Sequence, residues 1–148
     1  MPLTVDLVTS ENDLDRICEV DYDGWHTPYN PQLKHFRPIT TSREEYITWN
    51  RKRNWIHPDN PKHFLVKCTE TDTDTIIGFA VWTVNDGAEE NSAPTKALWH
   101  VEGSDDREFA ERFINGLWGF LGKRVTRPHM GECLPSLQMT GALMLSEH

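Results

Sequence analysis

The apolar positions of the chain repeat with two different periods, and the switches between them divide it into elements. Thr4 to Val8 alternate in the manner of a short strand, Val5 set against Leu3 and Leu7. Ser10 then opens a helix, with Asp13 three residues on as the acid of a capping box. Leu14, Ile17, Cys18, Tyr22 and Trp25 follow at steps of three and four and make one apolar face, with Gly24 placed to stop it. From His26 to Thr41 three prolines remove backbone donors and restrict their predecessors, so regular structure should break. Tyr29, Leu33 and Phe36 nevertheless supply apolar anchors, which predicts a loop packed over the core. Ser42 with Glu45 forms a second capping box, opening a helix to about Asn54. Tyr46, Ile47 and Trp49 are its expected inward residues, and its later turns are polar and basic.

The period then changes to two. Phe64, Val66 and Cys68 alternate with His63, Leu65 and Lys67, and Ile76 to Val84 is rich in branched and aromatic residues. The polar run TETDTDT between them reads as the turn of an antiparallel hairpin. A polar loop spans Asn85 to Pro94, and an apolar patch lies at Ala97 to Val101. Asp105 with Glu108 then caps a third helix. Its expected buried set is Phe109, Phe113, Ile114, Leu117, Trp118 and Leu121. Gly116 and Gly119 each cost it about 1 kcal/mol relative to Ala unless they permit close packing. Gly122 is a natural C-cap, preceding Lys123 and Arg124 at the negative dipole end.

Composition narrows the class. A formal net charge of −8 and short basic runs (Arg51-Lys52-Arg53 and Lys123-Arg124) argue against nucleic acid as a partner. Three cysteines without a C-x-x-C spacing argue against a disulfide framework and a zinc ribbon. The N-terminus lacks a secretory pattern and no apolar run is long enough to span a membrane, so the expectation is a reduced, cytoplasmic protein. His57, Asp59 and His63 fall close together, but no second pair at ligand spacing completes a set, and no metal is expected. Cys18 and Cys68 lie on expected core faces and read as small buried hydrophobes.

The order strand, two helices, hairpin, polar insertion, helix resembles the opening of the GNAT superfamily of acyl-CoA N-acyltransferases. Ile76-Ile77-Gly78-Phe79-Ala80-Val81-Trp82 looks like that superfamily's third strand. The helix carrying Phe113, followed by Arg127-Pro128-His129, resembles a group of GNAT-like proteins common in filamentous fungi, in which a helical insertion separates strands three and four. The likeness covers residues 3–130 of a single domain expected over 1–148. It implies an α/β (in a looser scheme α+β) fold: a mixed, mostly antiparallel sheet flanked by helices, incomplete at the C-terminus. It also implies acetyl transfer from acetyl-CoA to a small-molecule or peptide amine.

In the resembled family a Gln/Arg-x-x-Gly-x-Gly/Ala loop opens a helix whose N–H groups hold the CoA pyrophosphate. The nearest match is Gln138-Met139-Thr140-Gly141-Ala142-Leu143, which nominates Gln138 and Gly141 as cofactor-binding residues. Leu143 stands where the pattern asks for Gly or Ala, no Lys or Arg follows Arg127, and 131–148 read as an atypical tail. The expectation is therefore a chain cut short before or within the acetyl-CoA motif, with no catalytic residue to name. In the family the first two helices and their connection line the acceptor side. Trp25 and Trp49 read as core there, while Tyr29 and Phe36 are the candidate substrate-binding residues. The alternative is a non-catalytic remnant acting as a binding or dimerisation module, because an unpaired sheet edge invites a homodimer.

Overall fold

The computed structural model describes residues 2–85, 93–124 and 129–133, with side chains described up to 84 and over 93–120. In chain order the elements are β1 (Leu3–Leu7), α1 (Leu14–His26), α2 (Leu33–Phe36), α3 (Arg43–Asn54), β2 (His63–Glu70), β3 (Thr75–Asn85), α4 (Asp105–Arg124) and β4 (His129–Cys133). The sheet order is β1-β2-β3-β4, and both β1 with β2 and β2 with β3 are antiparallel. The fold class is thus mixed α and β, with a sheet that follows the chain without crossovers. The described residues fall into two units, one of 2–30, 40–84 and 130–133, the other of 31–39, 85, 93–124 and 129.

In the first unit, the register pairs Val5 with Cys68 and Leu7 with Val66, while Leu65 pairs with Val81. Cross-strand partners share a face, so Leu65 and Val81 point one way and Val5, Leu7 and Val66 the other. Val8, Leu14, Ile17, Leu65, Ile76 and Val81 form the buried cluster, which places α1 on the Leu65 face. Leu3, Val5 and Leu7 share the opposite face of β1 and are each more than half exposed. Val5 is therefore in phase with Leu3 and Leu7, not set against them, because a strand repeats every two residues. A register shift falls between Cys68 and Thr69, and Asp74 takes φ 51° in the turn to β3. Arg16 on α1 donates from Nε to the Ile76 carbonyl at 3.1 Å, tying the helix to β3.

Both helix starts use serine, but differently. Ser42 Oγ accepts from the Glu45 N–H at 3.1 Å, and Glu45 Oε2 reaches back to the Thr41 N–H at 2.6 Å, one residue earlier than the simple box. Ser10 Oγ accepts from the Asn12 N–H at 3.2 Å, and a short 3-10 turn over Glu11–Asp13 precedes α1. Asp13 does not close a box there; its carboxyl accepts from Lys67 Nζ at 2.8 Å. Helix α1 runs on through Gly24 to His26, where the Thr27 N–H donates to the Asp23 carbonyl.

The second unit packs α2 against α4. Phe36 and Ile114 are its buried centre, with Trp99, Leu117 and Trp118 against them. Trp99 Nε1 donates to the Lys34 carbonyl at 2.9 Å, fixing the segment before α4 to α2. Ser104 Oγ accepts from the Arg107 N–H at 3.3 Å and so caps α4 just ahead of Asp105. The inward face of α4 is centred on Ala110 and Ile114, whereas Phe109 and Phe113, expected inside, are exposed. Among the described residues no helix is long and apolar enough to cross a membrane.

Candidate functional site

Helices α1 and α3 enclose a polar group that periodicity assigns to the wrong side. The buried residues of α1 include Asp21, and those of α3 are Tyr46, Asn50 and Asn54. Tyr46 donates from its hydroxyl to Asp21 Oδ2 at 2.7 Å, and Asn50 Nδ2 donates to the same oxygen. One buried carboxyl oxygen thus joins both helices, and low local polarity strengthens both bonds. Outside this pair, Asp15 accepts from Arg51, and Glu19 accepts from Arg16 at 3.0 Å and from Arg43 at 3.4 Å. The hydrogen bond from Arg16, aided by the Arg43 charge, holds the Glu19 carboxyl below the usual carboxylate range.

Beside the Asp21 network the end of α1 carries an aromatic cluster. The His26 ring stacks on Tyr22 at 3.9 Å between centroids and 10° between planes. Tyr46 meets both rings edge-on, at 5.3 Å from Tyr22 and 5.4 Å from His26. Tyr29 closes the other side at 5.7 Å from His26, held there by a bridge between the two residues. The Arg43 guanidinium lies 5.7 Å from the Tyr22 ring centre. His26 Nδ1 sits 2.9 Å from the Tyr22 carbonyl, which can only accept. In the neutral ring that bond puts the proton on Nδ1 and leaves Nε2 as the acceptor. A half-buried imidazole with a fixed tautomer and aromatic walls can take a proton from a bound group.

The residues nominated from sequence fare differently. Tyr29 is 53% exposed and belongs to this cluster. Phe36 lies in the second unit, 9% exposed, its ring 5.3 Å from Phe113 in the α2–α4 packing. Gln138 and Gly141 lie outside the described residues. Trp25 and Trp49 are half-buried, the latter under the Arg53 guanidinium at 5.2 Å. His57 Nδ1 is 3.5 Å from Asp59, whereas His63 Nδ1 is 2.9 Å from Thr83 Oγ1, so the two histidines serve separate contacts. Among the described residues no three His, Cys, Asp or Glu side chains are grouped to hold a metal.

Asp21, His26 and Asn50 were not nominated from sequence. The only available signal was the i, i+4 spacing of Tyr22 with His26 and of Tyr46 with Asn50, which puts each pair on one helix face. Away from this cluster, a concavity of about 120 Å³ is lined by Leu7, Val8, Ile56, His57, Pro58 and Phe64, and is largely apolar. Comparison with protein-family models, with curated proteins and with solved structures finds no match.

Proposed function

We propose that this protein is a GNAT-type N-acyltransferase, transferring an acetyl group from acetyl-CoA to an amine held at the end of α1. The observation that carries the reading is the His26 tautomer: Nδ1 is committed to the Tyr22 carbonyl, so Nε2 is the basic atom of a ring centred 5.7 Å from that of Tyr29. The amine nitrogen forms a bond to the thioester carbonyl carbon and the C–S bond breaks. His26 Nε2 takes the proton the amine loses, and the thiolate leaves with a proton from solvent. Tyr22 and Tyr29 supply flat apolar walls with polar tips, which suits an amine carrying an apolar or aromatic body.

The fold supports this reading without carrying it, because one fold can host many activities. The observed order is a strand, the helices α1, α2 and α3, an antiparallel hairpin, and a helix before β4; apart from the four-residue α2, it is the order the resemblance asks for. Gln138 and Gly141 enter the proposal as the residues that would meet the CoA diphosphate. Calorimetric titration of the full chain with acetyl-CoA tests the reading. Saturable binding that free adenosine does not reproduce is expected, and heats indistinguishable from dilution would overturn it.

A further inference from the structure

Strand β1 ends the sheet, and among the described residues no strand pairs with its free side. The Val8 N–H donates to the Leu65 carbonyl at 2.8 Å, and the Thr71 N–H donates to the Pro2 carbonyl at 3.1 Å. These two bonds fix the parity of the ladder: even-numbered residues of this segment carry the bonds to β2. In an antiparallel pair the alternate residues turn the other way, so the N–H and C=O of Leu3, Val5 and Leu7 point outward.

Little guards this edge. Proteins usually blunt a free strand with lysine, proline or a bulge. β1 reads Leu-Thr-Val-Asp-Leu, all five residues are exposed, and its register with β2 runs unbroken from Leu3 to Leu7. Leu3, Val5 and Leu7 share one face and are 52%, 69% and 58% exposed. Asp6 is the single charge on the strand.

The order of residues chooses the occupant. The strand is symmetric about Val5, with leucine at 3 and 7 and a polar residue at 4 and 6. We propose that β1 pairs antiparallel with β1 of a second copy of this chain, about a two-fold axis through the two Val5 residues. That register bonds every outward N–H and C=O: Val5 to Val5, and Leu3 of each copy to Leu7 of the other. The apolar side chains then meet on one face, and Thr4 lies opposite Asp6, whose carboxylate can accept from the hydroxyl. Centring the axis on Asp6 would oppose two carboxylates, and centring it on Thr4 would leave Leu7 unbonded. Such an edge is self-complementary and closes at two copies, as an isologous contact does. Five residues a side fall short of the roughly 20–30 of a standard interface, so the dimer is weak and reversible.

Sedimentation equilibrium of the full chain over a wide range of concentrations tests this. Salt of about 0.15 M screens the charge of −8 that each copy carries, and far-ultraviolet circular dichroism checks folding. A monomer–dimer equilibrium is expected. Val5→Lys and Val5→Glu should each weaken it by about tenfold or more, because like charges then meet at the axis. An equimolar mixture of the two variants should dimerise about tenfold more tightly than either alone, since position 5 meets position 5 in this register. Val5→Pro, which removes an outward N–H and none of those bonded to β2, should abolish the dimer while the chain stays folded. A chain that is monomeric throughout overturns the proposal, as does a dimer indifferent to the changes at Val5. A mixture no tighter than its components would also overturn it, by placing the contact elsewhere.

Discussion

Replacing Asp21 by Ala removes the one oxygen on which Tyr46 and Asn50 converge, and both donors are buried. An orphaned buried donor costs about 1–3 kcal/mol, so two of them cost about 2–6 kcal/mol. Against a total stability of about 5–15 kcal/mol for a domain, that is a large share. Urea denaturation followed by tryptophan fluorescence reads the change as a shift in midpoint at unchanged slope. The distinguishing result is non-additivity. Tyr46→Phe alone should cost about 1 kcal/mol. In the Asp21→Ala background it should cost nothing or restore stability, because it removes a donor already orphaned. The joint change Asp21→Leu, Tyr46→Phe and Asn50→Leu should recover most of the loss. A loss within about 0.5 kcal/mol for Asp21→Ala, the scatter of surface substitutions, would refute the reasoning.

Acid should loosen the second unit through His35. Its ring packs 4.6 Å from Phe109, its Nδ1 is buried with no hydrogen-bond partner among the described residues, and burial with the Lys34 charge pushes its pKa below 6.5. The folded state therefore binds this proton more weakly than the unfolded chain. The stability it contributes is complete above pH 6.5 and falls as pH drops below it. His35→Gln should flatten the thermal midpoint over that window, and an unchanged slope would count against it. At α3, Ser42→Ala removes the acceptor of the Glu45 N–H and should cost about 1 kcal/mol in the same urea assay. The Glu45 carboxyl, held low chiefly by the Thr41 N–H, adds stability that disappears as pH falls through its depressed pKa, below the ordinary 4.5. Ser42→Ala with no loss at neutral pH would show that the cap is idle.

The elements that the chain announces are those whose signals are local. The Ser42–Glu45 box sets the start of α3, and the alternation over Phe64 to Lys67 with the TETDTDT turn marks the hairpin. The orientation of faces was harder to read, because it depends on which partner lies opposite. On α3 the buried positions are Tyr46, Asn50 and Asn54. A hydrophobicity pattern sends both asparagines outward, and the Asp21 carboxyl on the facing helix, which accepts from Asn50 Nδ2, is what makes the inward position of Asn50 favourable. On α4 the pattern overweights the large rings. Ala110 is fully buried, whereas Phe109 and Phe113 stay largely exposed at the edge of the contact, touching only His35 and Phe36 among the described rings of α2. The candidate site was illegible for a related reason. His26 owes its tautomer to a main-chain carbonyl one turn back, and no residue type announces that bond.

Acyl transfer at His26 is tested most directly by amine-dependent release of thiol from acetyl-CoA, measured for the native chain and for His26→Gln across a panel of aryl and alkyl amines. Native protein should release thiol only when an amine is present. The variant should be slower by about a hundredfold or more in kcat, the usual share of one general base, with KM for acetyl-CoA unchanged. Equal rates for the two proteins, or no release with any amine, would contradict it.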